Sequence, residues 1–226
     1  MLYHLEIQSK SIHTSSKRII IFSLFVLYLL IQGYLVSILR AEFYYRKAKD
    51  SLSHIEDLDS TLIVKRASFY SKSLMFFEKA IQFNSLNSRY YFEYTRTLLD
   101  VFRNNDLLNI VEFKRKQRGV DFLNYIYYQL NRAIALEPVN AEYHLLLGYF
   151  YSLSNNEENV EKAFRRAYLL EPHNINNIFY IIKYFVNKDL IDKAIYYFEK
   201  MEFLCKDLNY SCEACKNFKI LKEKIP

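Results

Sequence analysis

The apolar positions of this chain follow two different rhythms. From Ile19 to Leu39 the side chains are almost continuously apolar and none is charged. From Ala41 onward the apolar residues return every three or four positions, the spacing that places them on one face of an α-helix. Tyr44, Ala48, Leu52 and Ile55 make one such face, and Phe77 with Ala80 belong to the next. Tyr91, Tyr94, Thr95 and Leu98 follow, and then Ile126, Leu130 and Ala133. Further on come Leu145, Leu147, Gly148 and Tyr151, then Val160, Phe164 and Ala167. Breaks fall between these stripes. Ser154 to Asn159 reads SNNEEN, a run of turn formers, and the two Glu-Pro pairs end helices because the residue before proline avoids the α region. The pattern predicts an all-α chain of paired amphipathic helices. A short extra helix is expected near 104–119, capped by Asp106 or a neighbouring Asn and stopped by Gly119.

The phrase L-E-P-x-N occurs at Leu136–Asn140 and again at Leu170–Asn174, 34 residues later. The unit between them carries His144, Leu147, Gly148 and Tyr151 on its first helix, then Val160, Phe164, Ala167 and finally Pro172. This spacing resembles the tetratricopeptide repeat (TPR), with His in place of the usual Trp and Val in place of the first Ala. The next unit keeps the register at Ile178, Ile181, Ile182, Phe185, Ala194, Phe198 and Met201, with Ile182 at the glycine slot and Lys206 at the proline slot. The resemblance covers roughly residues 41–206 and implies a stack of helical hairpins forming an α-α superhelix. Small residues let paired helices approach and large ones fill the gaps. One hairpin cannot bury its own apolar face, so the unit is repeated.

The run 19–39 would span about 31 Å as a helix, close to the thickness of a bilayer's hydrocarbon core. It is longer than a signal-peptide apolar region, and Ser37-Ile38-Leu39-Arg40 lacks a small-x-small cleavage pattern. The expected organisation is an N-terminal tail (1–18), a transmembrane helix (19–39), a TPR array (40–206) and a C-terminal capping helix (207–226). No breaker separates the span from the first hairpin. Lys10, Lys17 and Arg18 precede the span and Arg40, Arg46, Lys47 and Lys49 follow it, so loop charge barely sets orientation. By analogy with other anchored proteins of this build, the expectation is a single-pass protein of a bacterial inner membrane with its array in the periplasm.

Composition narrows the chemistry. With three glycines in 226 residues, no glycine-rich phosphate loop can be assembled. The net charge of +6 is spread along the chain and gives no concentrated basic face for nucleic acid. The cluster Lys114–Arg118 reads as a solvated helix end, with anionic lipid as its functional alternative. No triad or dyad can be assembled from the scattered Ser, His and acidic residues, so no catalytic residue, cofactor or metal site is expected. Cys205, Cys212 and Cys215 are read as buried or idle thiols. A disulfide from Cys205 to Cys212 or Cys215 is the alternative in an oxidising compartment, and a zinc site lacks its fourth ligand. Ser211 is a candidate cap for a last helix bearing Cys212, Cys215, Phe218 and Leu221.

The resemblance also implies function. In this family the first helix of each hairpin lines a concave groove for a peptide or a partner helix. The matching slots here are Arg89, Phe92, Arg96 and Leu99, then Glu142, Leu145, Tyr149 and Ser152, then Asn176, Phe179, Lys183 and Asn187. The mixture is aromatic and polar. It implies a membrane-anchored scaffold for protein–protein interaction in assembly of an envelope complex. Other readings are a regulatory accessory subunit of an envelope polysaccharide polymerase or secretion system, and an organelle import receptor. Tyrosine-rich outer faces would suit subunit contacts in a larger complex.

Overall fold

The computed structural model describes residues 2–56, 58, 62–104, 106–107, 121–207 and 212–222, of which 2–20 and 56 by backbone alone. All regular structure among these residues is helical. The helices are α1 (Leu2–Glu56), α2 (Ile63–Phe83), α3 (Ser88–Arg103), α4 (Phe122–Leu136) and α5 (Ala141–Leu153). After them come α6 (Glu157–Leu170), α7 (Ile175–Asn187), α8 (Ile191–Asp207) and α9 (Glu213–Lys222). The chain divides into two compact units, Met1–Leu86 and Asn87–Pro226.

In the first unit α1 runs without interruption from the tail through the apolar run and into the first hairpin. Helix α2 lies antiparallel against its last part. Contacts pair Ser37 with Phe83, Tyr45 with Phe77 and His54 with Phe69, so rising numbers on α1 meet falling numbers on α2. The face turned to α2 carries Ala41, Tyr45, Ala48 and Ile55, all buried. The expected stripe is therefore shifted by one position at its start: Tyr44 sits at the edge and stacks on Phe83 at 5.6 Å between centroids. From Ile21 to Val36 every side chain is exposed.

The second unit is built from the hairpins α3/α4, α5/α6 and α7/α8, with α9 packed at the end. Within each pair the repeat slots meet as spacing requires. Gly148 lies so close to Phe164 that a Cβ there would collide with the ring. Val160, Phe164 and Ala167 are buried, as are Ile178, Ile181, Ile182, Phe185, Ala194 and Met201. Each hairpin also packs on the next: Tyr127 of α4 stacks on Phe150 of α5, and Phe164 of α6 meets Tyr184 and Phe185 of α7. The first helices touch as well, α3 against α5 and α5 against α7. This is the tetratricopeptide-type arrangement.

The L-E-P-x-N phrase has a local function at each appearance. The Glu N–H donates to the carbonyl of Ala133 or Ala167 and closes the outgoing helix. The Asn side chain then caps the next helix, Asn140 accepting from the Glu142 N–H and Asn174 from the Asn177 N–H. Asn87 performs the same capping for α3. Inside two hairpins the turn uses a left-handed residue, Asn155 at φ 54° and Asp189 at φ 58°. The N–H that follows it reaches back five residues, Asn156 to Tyr151 and Leu190 to Phe185, which satisfies a terminal carbonyl.

Cys205 and Cys215 form a disulfide with Cα atoms 5.5 Å apart, joining α8 to α9. This corrects the reading of all three cysteines as idle thiols. Only Cys212 is free, and its Sγ accepts the Cys215 N–H at the start of α9. Chain spacing left two partners open for Cys205. The fold selects Cys215 because it faces the core with Phe218, whereas Cys212 is half-buried. Helix α8 continues through Lys206, the slot where a proline would have ended it. Ser211, Lys114–Arg118 and most of the extra helix near 104–119 lie outside the described residues. Asn104 accepts the Leu107 N–H at the start of that segment.

Candidate functional site

The residues matched to groove slots lie on α3, α5 and α7, and their surroundings divide them. On α3, Arg89 and Arg96 are exposed, whereas Phe92 is 8% and Leu99 1% exposed. Phe92 stacks on Tyr143 of α5 at 4.8 Å, so it joins two first helices instead of presenting a surface. On α5, Glu142 is exposed, while Leu145, Tyr149 and Ser152 are half-buried. The Arg103 guanidinium lies 5.3 Å from the Tyr149 ring, bringing α3 and α5 together at the surface. Ser152 Oγ donates to the Tyr149 carbonyl, a local bond along α5. On α7, Asn176, Lys183 and Asn187 are exposed, and Phe179 is half-buried against the core.

Arg89, Arg96 and Arg103 recur every seven residues and so share one stripe of α3. Asp100 lies between the last two. Burial raises its carboxyl pKa despite the opposing pull of Arg96 and Arg103, with Glu93 adding to the rise. Burial likewise raises the Tyr149 hydroxyl pKa, against Arg103. The surface thus combines cations, a carboxylate and an aromatic ring. Chemically it can hold a polar or aromatic segment. It contains no nucleophile paired with a base. Among the described residues no three His, Cys, Asp or Glu side chains converge as metal ligands would.

A polar knot that spacing alone did not reveal lies at the α4–α5 connection. Glu137 Oε2 accepts from Ser88 Oγ at 2.7 Å and from the Tyr143 hydroxyl at 3.1 Å, while Oε1 accepts from Asn140 Nδ2. These bonds hold the Glu137 carboxyl below its usual range, the Ser88 bond contributing most. Burial, with Glu137 beside it, pushes the Tyr143 hydroxyl up to about 12. At the next repeat Glu171 accepts from Asn174 and Asn177 instead. The recurring Glu of L-E-P-x-N is the signal that could have located both knots. They tie the beginnings and ends of adjacent helices and serve stability.

No family profile matches the chain, and no curated protein matches it in sequence. Among solved structures it is similar to MamA from Desulfovibrio magneticus RS-1. The identity is 18%, with 74% of this chain and 96% of that chain covered at a TM-score of 0.46. A double mutant of RS-1 MamA is 17% identical over 75% of this chain and 96% of that one, also with a TM-score of 0.46. A thermophilic TPR protein of Thermus thermophilus is 16% identical over 79% and 97%, with a TM-score of 0.40. The fold assignment rests on the helix pairs and packing slots of the chain itself.

Proposed function

We propose that this chain is a single-pass membrane protein whose hairpin stack holds a protein partner during assembly of an envelope complex. The observation that carries the proposal is the joining of α3, α5 and α7 side by side in one unit, each bringing exposed polar side chains to matching repeat slots. The partner segment lies along Arg89, Arg96, Glu142, Tyr149, Asn176, Lys183 and Asn187. Phe92 and Leu99 support this face from below, and Leu145, Ser152 and Phe179 border it. The partner is a peptide or a helix, and the protein has no catalytic activity of its own.

Anchoring is supported by the exposed apolar side chains between Ile21 and Val36, which water would solvate poorly. The Cys205–Cys215 disulfide favours an oxidising compartment for the array. A periplasmic position outside a bacterial inner membrane meets both conditions.

The test is co-purification from gently solubilised membranes, comparing the natural chain with Arg96→Glu/Lys183→Glu. Both residues are exposed, so the variant keeps its fold. The natural chain is expected to retain a defined partner that the variant loses. Equal retention by both, or turnover of a substrate by the purified chain alone, contradicts the proposal.

A further inference from the structure

The first unit carries a second surface. On α1, Arg40, Tyr44 and Lys47 fall on one face, spaced by four and three residues. On α2, Phe76, Lys79 and Phe83 do the same, spaced by three and four. The faces adjoin: the Tyr44 ring stacks on Phe83 at 5.6 Å and on Phe76 at 6.2 Å. A cation lies over the rings at each level. Arg40 is 5.8 Å from the Phe83 ring, Lys79 5.2 Å from Tyr44, and Lys47 4.6 Å from Phe43 and 5.7 Å from Phe76. Nearby, Glu42 binds Arg46 at 3.0 Å, one helical turn along α1.

The position of this patch along α1 identifies its occupant. Ser37 Oγ donates to the Phe83 carbonyl at 2.6 Å, which fixes the end of α2 beside the last turn of the apolar run. Arg40 is the first charge beyond that run. Tyr44 lies about 6 Å further along the helix axis, and the headgroup layer of one leaflet is about 5–8 Å deep. Lys47 is about 10 Å beyond Arg40, but helical side chains lean toward the N-terminus, here toward the apolar segment, and its Nζ lies back over Phe43. Rings with cations at this depth fit the bilayer interface, where amphipathic side chains place apolar bodies inward and charged tips among phosphates.

We propose that Arg40, Lys47 and Lys79 form a collar that binds the phosphates of anionic phospholipid and seats the first hairpin on the membrane surface. This rests on the reading of α1 as a membrane span. Each cation near an acidic surface contributes about five-fold to association, so the full collar slows local opening of α1 and α2 by about ten-fold or more after screening.

The experiment places the full chain in nanodiscs of phosphatidylcholine alone or with phosphatidylglycerol added, and follows amide hydrogen exchange over residues 40–47 and 76–83. Exchange is expected to slow about ten-fold or more with the anionic lipid, and Arg40→Gln/Lys47→Gln/Lys79→Gln is expected to lose that gain. Lys47→Arg/Lys79→Arg, which keeps the charge, is expected to retain it and shows that the fold survives substitution. Equal exchange in both lipids overturns the collar. So does slowing by inorganic phosphate added to neutral discs, which would make this a soluble-anion site. Alkaline carbonate extraction of native membranes separates the two readings: a chain that stays in the pellet with no lipid effect overturns the collar alone, and a chain that is extracted overturns the span and the collar with it.

Discussion

Gly148→Ala tests the close approach of α5 and α6. In an ordinary helix interior this substitution stabilises by about 1 kcal/mol, because glycine loses more backbone entropy on folding. Here the added methyl group meets Cγ, Cδ1 and Cε1 of Phe164. That ring is buried and bounded by Tyr184 at 5.2 Å and Phe185 at 6.1 Å, so it has little room to turn away. Overpacking of this kind costs about 1–3 kcal/mol. The net effect is a loss of up to about 2 kcal/mol, opposite in sign to the helix preference. Phe164→Leu removes the ring edge, and in that background Gly148→Ala is expected to stabilise. The coupling between the two sites is therefore about 1–3 kcal/mol. Native-state hydrogen exchange of the α5 and α6 amides in the full chain measures it locally, each 1.4 kcal/mol changing the exchange rate ten-fold. Equal stabilisation by Gly148→Ala in both backgrounds would show that the helices do not approach as described.

Other expectations follow from single contacts. Asn140→Ala and Asn174→Ala should each lower stability by about 1 kcal/mol through loss of a cap, measured by urea unfolding. The second should cost more, because Asn174 also donates to Glu171 at 2.7 Å, a shorter bond than the 3.2 Å from Asn140 to Glu137. Since Glu137 has a lowered pKa, its contribution is complete above the ordinary carboxylate value of 4.5 and fades as pH falls through the folded value. Stability measured against pH should therefore drop more steeply below about 4.5 in the natural chain than in Glu137→Gln. Reduction of Cys205–Cys215 should release α9 selectively, since a closed loop of this size contributes up to about 3 kcal/mol, and unchanged exchange of the Glu213–Lys222 amides would refute that. Asn155→Gly and Asp189→Gly should each stabilise modestly by thermal unfolding, because both positions hold a left-handed backbone.

The helices were legible because their causes are local. The recurrence of L-E-P-x-N marked the hairpin boundaries, and the stripe residues Ile126, Leu130, Ala133, Ile178 and Met201 are all buried as periodicity requires. What the sequence could not reveal depends on partners distant along the chain. Whether Tyr44 or Tyr45 is buried against α2 is decided by how a helix of 55 residues rotates against its neighbour, and one residue turns the face by about 100°. Phe92 lies at a groove slot by register, yet Tyr143 of the following hairpin draws it into an aromatic stack. The choice of Cys215 over Cys212 depends on which side of α9 meets the core. The collar of Arg40, Lys47 and Lys79 exists only once α2 folds back on α1.

The most direct test of a partner-binding hairpin stack is site-specific photocrosslinking of the full chain in intact membranes. The crosslinker is placed at Arg96 and Lys183 on the first-helix face and at Lys200 on α8 as a control. A discrete protein adduct from Arg96 and Lys183, absent from Lys200, is the expected result. Adducts equal at all three positions, or confined to Lys200, would contradict a partner held along α3, α5 and α7.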